Sequence, residues 1–418
     1  MRVCLRCMVA FLLLSAAVVK AQTPAASGPA FDVDAATNAW LAQVPAAKRA
    51  RSDAYFEGGY WLILWDFAWT AAISYLLLST RWSAQMRSLA ERLTRFRALQ
   101  TFVYWAQYIV VTTVLTFPWV VYESFYREHR YGLATQTFGP WFGDQMKQFG
   151  LTLVLGGIAV IALFAIVRGL PRTWHVWGVL ASMVFLILGS LIAPVFILPL
   201  FNKYTPLTDA SIRNPILSLA RANGIPAANV YEVDASRQST RISANVSGLF
   251  GTERISLNDN LLNRCTPAEI LSVVGHEMGH YVLNHVYKDL LVSLVILTIL
   301  FAGGRSALER SLRRWGSRWG IRGVSDVAVL PLAVLIVAIF GFIYTPIGNT
   351  VTRAAEQEAD MYGLNAVRQP DAFAEVALKL ADYRKLSPGP LEEWIFFDHP
   401  AGRTRIHSAM RWKAENVR

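Results

Sequence analysis

The chain has few cysteines, and this excludes a disulfide-stabilised fold. Cys4, Cys7 and Cys265 are the only three among 418 residues. The first two fall within residues 1–21, a candidate leader, so a processed chain keeps one thiol and cannot form an internal disulfide. A metal site in this chain therefore needs ligands other than paired thiolates.

Charge is also scarce, since charged residues make up 17% of the chain and hydrophobic residues 54%. That balance is too apolar for an ordinary soluble protein of this length. Windows of about twenty apolar residues, long enough to cross a bilayer, account for the excess. There are six: Tyr60 to Ser79, Thr101 to Val121, Leu151 to Val167, Trp174 to Leu198, Val286 to Ala302 and Val327 to Ile347.

The N-terminus has the pattern of an export signal. Arg2 and Arg6 precede an apolar stretch from Met8 to Val19, and Ala21 ends a short segment that resembles a cleavage site. This stretch is too short to span a bilayer comfortably, which is typical of a signal peptide, with an uncleaved signal anchor as the alternative. Its bacterial appearance predicts a multi-pass protein of a bacterial inner membrane.

The positive charge of the chain, formally +11, is better explained by topology than by nucleic acid. Residues 80–100 carry five arginines, 168–173 two and 303–326 six, against three basic residues in 122–150. Arginine-rich short loops face the cytoplasm. The count therefore predicts that the polar segment after the fourth window and the C-terminal tail lie on the extracytoplasmic side, and no nucleic-acid partner is expected.

A metal-binding motif begins at His276. His276, Glu277 and His280 form a His-Glu-x-x-His pattern, and residues four apart on a helix share one face. The motif follows a capping box with proline at the first helical position, in residues 266–269, so the helix is well started. The alternative is an amphipathic helix with two surface histidines.

A second helical stretch supplies carboxylates. Glu356 is a candidate third ligand, and Asp360, on the same face, is a candidate acceptor for the outer N–H of a ligating histidine. Three protein ligands with an adjacent glutamate are typical of a catalytic site with one Zn²⁺ per chain. We therefore expect a zinc-dependent endopeptidase in which Glu277 is the general base.

The pattern of windows and polar segments predicts a mainly α, polytopic membrane protein with about six transmembrane helices plus a leader. Its zincin-like catalytic domain contains a small β-sheet, predicted from short alternating runs at 230–235, 242–249 and 254–257, the last two forming a hairpin. The predicted divisions are 1–21, signal peptide or anchor; 22–198, four transmembrane helices; 199–285, polar insert with the motif; 286–347, two transmembrane helices; and 348–418, C-terminal catalytic part. We expect both ligand helices to be continuous with the fifth and sixth membrane segments.

At these residues the sequence resembles the integral-membrane zinc peptidases of the CaaX prenyl protease 1 type and, more distantly, the bacterial heat-shock membrane protease. The match extends from about Trp61 onward and includes segments outside the zinc motif, such as 122–137 and 199–207. The family pattern Ser-Arg-x-x-Glu-x-x-Ala-Asp stands here as residues 352–360, which selects Glu356 rather than Glu358 as third ligand. Glu358 is also kept off that face by helical geometry.

The resemblance implies two further site residues. The late His-Pro and Arg-Ile pairs of the family stand here at His399 and Arg405, which would line the site. His399 is then a candidate donor to the developing oxyanion, and Arg405 a partner for a carboxylate of substrate or enzyme. The family's Asn-Ala-Tyr on the substrate-binding strand is replaced by residues 243–245, Ser-Ala-Asn. Members of this family usually have their zinc site on the cytosolic side of the membrane. The distribution of arginines in this chain predicts the opposite side.

Three functions compete at this point. The first is an endopeptidase for peptides or membrane-associated proteins, prenylated as in the resembled family or drawn from a broader quality-control pool. The second is a non-catalytic transporter or scaffold with structural zinc, against which Glu277 argues because structural sites need no adjacent base. The third is an intramembrane protease of the site-2 type, which takes an aspartate as third ligand within a membrane segment.

Overall fold

The fold, seen in a computed structural model, is described for residues 31–247 and 254–417. Its helices are α1 (Val33–Ala42), α2 (Ala46–Ser79), α3 (Trp82–Leu93), α4 (Arg97–Arg130), α5 (Phe138–Gly169), α6 (Trp174–Leu200), α7 (Ala210–Ala222), α8 (Asp259–Arg264), α9 (Pro267–Val282), α10 (His285–Trp319), α11 (Leu330–Val367), α12 (Pro370–Lys379), α13 (Pro390–Phe396) and α14 (Gly402–Asn416). Its strands are β1 (Tyr204–Pro206), β2 (Val230–Val233), β3 (Ala244–Ser247) and β4 (Arg254–Asn258). The candidate leader lies outside the described residues, so its cleavage stays a prediction.

Six helices, α2, α4, α5, α6, α10 and α11, are long and apolar enough to cross a membrane. Each contains one predicted window, which confirms the polytopic, mainly α architecture. The helices extend beyond the windows because a helix continues where polar residues leave the hydrocarbon layer. Large apolar side chains such as Val114, Leu291 and Ile343 are more than 60% exposed. Exposed apolar side chains suit contact with lipid when they lie on a helix, because a helix satisfies its own backbone hydrogen bonds.

The small β-sheet is mixed and has the order β1-β2-β4-β3. β2 and β4 are parallel, whereas β3 pairs antiparallel with β4 and places Ala244 opposite Leu257. The antiparallel pairing agrees with the predicted hairpin, although its turn lies outside the described residues. β1, only three residues long, was too short to be predicted. The order leaves β3 at the edge of the described sheet.

The α9 helix begins as the sequence predicts. Thr266 accepts the backbone N–H of Glu269, and the Glu269 carboxylate accepts the backbone N–H of Thr266, which completes the capping box. The buried face of α9 packs on the sheet through residues such as Ile270, Val274 and Met278, all 0 or 1% exposed. This packing holds the His-Glu-x-x-His segment beside β3.

On its other side α9 touches α11 at backbone distance. A Cβ added at Gly363 would lie 2.9 Å from the backbone nitrogen of His276, and one added at Gly279 would lie 3.0 Å from Cα of Ala359. Neither position has room for a side chain, so glycine permits the approach. The contact brings the motif of α9 and the carboxylates of α11 within bonding distance of one ion.

The expectation that the first ligand helix runs without interruption into the fifth membrane segment is wrong. α9 ends at Val282, Asn284 has a left-handed backbone with φ of 58°, and α10 begins at His285. Asparagine tolerates this conformation better than most residues. The second expectation is confirmed, since α11 continues unbroken from the membrane segment to Glu356 and beyond.

The C-terminal helices enclose the site together with a helix that sequence analysis missed. Leu41 and Val44, in and just after α1, pack in one cluster with Leu364 of α11, Phe373 of α12 and Ile406 of α14. The N-terminal and C-terminal parts of the described chain thus contribute to this one hydrophobic cluster. The predicted domain boundary at residue 198 stays a prediction. Although α1 precedes this boundary in the chain, it packs against helices of the predicted C-terminal catalytic part.

We expect Gly363→Ala to separate α9 from α11. The added methyl group would overlap the backbone at His276, and overpacking of this kind costs about 1–3 kcal/mol. Thermal unfolding in detergent should shift to lower temperature, and bound metal per chain should fall. Gly341→Ala in the same helix, where nothing lies within 4 Å, is the control and should leave both unchanged. Equal behaviour of the two variants would contradict this account of the helix contact.

Candidate metal centre

Three side chains from α9 and α11 converge on one point. His276 Nε2 lies 3.2 Å from His280 Nε2 and 3.2 Å from Glu356 Oε2, and His280 Nε2 lies 3.4 Å from Glu356 Oε1. His276 and Glu356 are buried, each 8% exposed. The turn of α9 between the histidines and the close approach of α11 produce this cluster.

The donor set fits a tetrahedral zinc ion. Bonds of about 2.0–2.1 Å in tetrahedral geometry separate ligand atoms by about 3.3–3.4 Å, close to the distances found here. Oε2 of Glu356 is buried and receives no hydrogen bond within the described chain. A buried carboxylate oxygen without a donor is unfavourable unless a cation lies beside it. Two imidazoles and one carboxylate leave a fourth position open, as in catalytic zinc sites.

Asp360 supports the first histidine ligand from behind. Its Oδ1 lies 2.7 Å from Nδ1 of His276, and Arg405 pairs with both of its oxygens, with Nε donating to Oδ2 at 2.8 Å. Burial alone would lower the pKa of His276, but the carboxylates of Asp360 and Glu356 raise that pKa to about 9. A more basic imidazole is a stronger ligand. Of the partners expected for Arg405, the structure places the enzyme carboxylate, Asp360, beside it.

The second histidine of the motif has its own support. Nδ1 of His280 lies 2.9 Å from Nδ1 of His285, whose Nε2 lies 3.1 Å from Oε2 of Glu358. Lys288 pairs with the same oxygen at 2.7 Å. On a continuous helix His285 would point away from the motif. The break at Asn284 turns it back onto His280, and only the tertiary structure reveals this.

Glu277 lies between the metal ligands and the cleft. Burial, with a contribution from the negative charge of Glu356, raises the pKa of its carboxyl to about 7 against the opposing effect of His276. A carboxylate whose pKa lies near neutrality suits proton transfer in both directions. Its place in the cleft lining and its pKa suit a general base, and that role stays a prediction.

His399 reaches the same cluster from the loop before α14. Its Nε2 lies 3.3 Å from Oε2 of Glu356, and its Nδ1 lies 2.8 Å from Oδ1 of Asp398. Because Asp398 holds one ring nitrogen, the other is directed at the site. All seven site residues expected from the sequence therefore meet within one region.

The cleft beside these residues has a volume of about 230 Å³. His276, Glu277, Glu356, His399 and Arg405 line its polar side. Residues 242–244, at and just before the start of the edge strand β3, border it, and α12 supplies apolar side chains. The cleft thus lies between the start of β3 and the metal-ligand candidates of α9 and α11.

Tyr383 and Arg384, which follow α12, complete the lining and were missed by sequence analysis. Burial raises the pKa of the Tyr383 phenol and lowers that of the Arg384 guanidinium. Both stand in an irregular segment where no periodic pattern singles out a residue. Their place in the cleft follows from the packing of the C-terminal helices.

Six spanning helices and a three-ligand centre with an adjacent base define an integral-membrane metallopeptidase. The chain belongs to peptidase family M48: the profile of that family matches residues 206–413, and that of the CAAX prenyl protease N-terminal region, five membrane helices, matches residues 38–203. The resemblance inferred from the motifs is thereby confirmed, as is the assignment to the metalloproteases. The transporter or scaffold alternative loses its support.

The relatives cover most of this chain. It is 31% identical to "Uncharacterized metalloprotease YhfN" of Bacillus subtilis, across 82% of the chain and 80% of the relative. It is 27% identical to "CAAX prenyl protease 1" of Saccharomyces cerevisiae, across 71% and 69%. The crystal structure of S. mikatae Ste24p has the same fold, with a TM-score of 0.74 at 21% identity over 90% of this chain and 94% of that one.

We expect His285→Ala to weaken metal binding without dismantling the site. Removing a side chain that orients a ligating histidine typically costs 10–100-fold in metal affinity. Zinc retained after dialysis against buffered zinc measures the effect, and His285→Asn should recover part of it by restoring a hydrogen-bonding group. His407→Ala, an exposed histidine of α14, is the control. If both alanine variants held zinc equally well, His285 would have no orienting role.

Proposed function

We propose that this protein is a zinc-dependent endopeptidase that cuts extended peptide segments at the bilayer surface. The observation that carries the proposal is the convergence of His276, His280 and Glu356 beside Glu277 at the floor of a cleft with an edge strand. Asp360 and Arg405 hold the first ligand in place. Residues 199–285 and 348–418 act as one catalytic unit, and α10 and α11 connect its two parts.

Zinc is the metal proposed for the His276, His280 and Glu356 site because the donor types and their spacing suit it. When bound, Zn²⁺ supplies a Lewis acid that polarises the scissile carbonyl and lowers the pKa of a water molecule to about 7. Glu277 would take a proton from the attacking water as its oxygen bonds to the carbonyl carbon, and would return that proton to the amine nitrogen when the C–N bond breaks. A carboxyl pKa near 7 permits both transfers.

His399 and Arg405 have different tasks in this proposal. His399 donates from Nε2 to the oxyanion that develops on the substrate carbonyl. Arg405 remains paired with Asp360 in the interior and acts through it, since both are buried and joined by two hydrogen bonds. Arg405 is thus a positioning residue for His276 and not a contact for substrate.

Substrate binds as an added strand along β3. The strand is at the edge of the described sheet and borders the cleft, so its free side can pair with an extended peptide. Because such pairing uses only main-chain groups of the substrate, peptides of different sequence can bind. Ser243 and Ala244, at the start of that strand, border the cleft where the resembled family has Asn and Ala.

The substrate class is a peptide or a membrane-associated protein. Relatives named for CAAX prenyl proteolysis favour a prenylated C-terminal segment. The similarity to a bacterial metalloprotease favours a broader substrate pool, because CaaX prenylation is chiefly eukaryotic. A test with both kinds of peptide separates these substrates.

We expect Glu277→Gln to abolish peptide cleavage while zinc is retained. Loss of a general base typically lowers the rate by 10²–10⁴-fold, and glutamine keeps the shape of the side chain. The measurement is cleavage of a farnesylated CaaX peptide and its unmodified counterparts by purified protein, with zinc content determined in parallel. Glu415→Gln, an exposed carboxylate of the last helix, is the matched control.

Equal cleavage by wild type and Glu277→Gln would contradict the mechanism. Cleavage of unmodified peptides alone would remove the prenyl-protease assignment and leave the endopeptidase intact. Cleavage of the farnesylated peptide alone would restrict the enzyme to that substrate.

We also propose that the catalytic side is extracytoplasmic and that the membrane is a bacterial inner membrane. The short connections after α2, α5 and α10 meet at the arginine-rich end of the bundle, and the metal centre lies at the other end. The long polar segment before α9 does not count in the charge rule, which applies to short loops. A reporter fused after Arg418 should therefore give an extracytoplasmic signal. A cytoplasmic signal would reverse the assigned orientation.

A further inference from the structure

A second polar cavity, of about 230 Å³, lies in the membrane bundle away from the metal centre. Its lining includes four arginines, Arg87, Arg97, Arg168 and Arg322, and two carboxylates, those of Glu91 and Asp326. A volume of this size holds several water molecules or a group about as large as a phosphate. The lining carries a net charge of two positive units.

The cavity and the metal centre are at opposite ends of the bundle. α10 begins at His285, beside the metal ligands, and ends at Trp319, just before Arg322 of the cavity. A helix of 35 residues is about 50 Å long. α11 returns from the cavity end to Glu356. The two sites are therefore separated by the thickness of a bilayer.

Two of the four arginines are neutralised by carboxylates. Arg87 and Asp326 form a buried pair at 2.5 Å, and Arg87 also donates to the carbonyl oxygen of Gly320 at 3.0 Å. Arg322 binds both oxygens of Glu91, at 2.6 and 3.0 Å. These pairs build the wall of the cavity and account for all of its negative charge.

The other two arginines have no carboxylate partner among the described residues. Arg168 donates to Oγ1 of Thr101 at 3.0 Å and to the carbonyl oxygen of Ser325 at 3.4 Å, both of them neutral acceptors. Arg97 is exposed at the start of α4. In addition, Nε of Arg87, a side chain only 8% exposed, is buried without an acceptor. The cavity thus holds uncompensated charge and an unsatisfied buried donor.

We propose that this cavity binds the phosphate of an anionic phospholipid headgroup. Guanidinium groups match phosphate oxygens in both charge and geometry. The position favours a lipid over a soluble anion, because Arg97 opens one spanning helix and Arg168 is close to the end of another. Phe96 and Leu170, two or fewer residues from them in the chain, are 62% and 41% exposed and suit the acyl boundary. Basic pockets between transmembrane helices bind headgroups in this manner.

The test uses the full-length protein in a neutral detergent. Short-chain phosphatidylglycerol should raise the thermal unfolding temperature in a saturable manner, because a ligand that binds the folded state stabilises it. Short-chain phosphatidylcholine and inorganic phosphate should not do so at the same concentrations. Each arginine near a membrane surface contributes about fivefold in affinity for anionic lipid. We therefore expect Arg97→Gln to raise the apparent Kd about fivefold and Arg97→Gln/Arg168→Gln about 25-fold.

Arg313→Gln is the matched control, since this exposed arginine of α10 is near the same end of the bundle but outside the cavity. It should leave the phosphatidylglycerol shift unchanged. Arg97→Gln alone removes no hydrogen bond or ion pair among the described residues and keeps the test valid if the double variant fails to fold. An equal shift in wild type and Arg97→Gln, or no shift in wild type, would overturn the proposal. A shift of the same size with inorganic phosphate would replace the lipid with a free anion.

Discussion

The metal centre depends on the contact between α9 and α11, whose backbones meet at glycines. Two histidines one turn apart can share a metal on any exposed helix, but the third ligand comes from a helix 76 positions further along the chain. Gly279 and Gly363 let the second helix approach until their backbones touch. With larger residues there, Glu356 would be displaced from the histidines. The cleft, the base and the supporting pairs are all arranged around this contact.

The polar groups around this contact are buried, so the loss of a partner is energetically costly. Asp360 and Arg405 are charged, buried and paired, and breaking such a pair leaves one charge uncompensated. Each ligating histidine has a second nitrogen held by the protein, by Asp360 on one side and by His285 on the other. The two supports differ in origin, since Asp360 lies on the ligand helix and His285 stands at the start of a membrane helix. The bundle is therefore connected to the site through a hydrogen bond as well as through the chain.

The spanning helices were predicted because their composition reports the solvent around them, and twenty apolar residues have few alternatives to a bilayer. The α9 cap and the face shared by His276 and His280 were also predictable, since they depend only on local spacing. Helix α1 was missed because its apolar residues become part of a core only by packing against α12 and α14. The contact of His285 with His280 depends on one left-handed residue, Asn284, which ends α9 and redirects the chain.

The sequence by itself determined the membrane architecture and predicted the type of metal ligands and the adjacent base, because these follow from composition and from periodicities within single helices. It also indicated the family through motifs spread along the chain. Only the tertiary structure decided which carboxylate Arg405 pairs with, what supports His280, and which arginines share a cavity at the other end of the bundle. Those contacts join residues 5 to 239 positions apart. Their formation depends on how closely helices pack, which local sequence patterns do not encode.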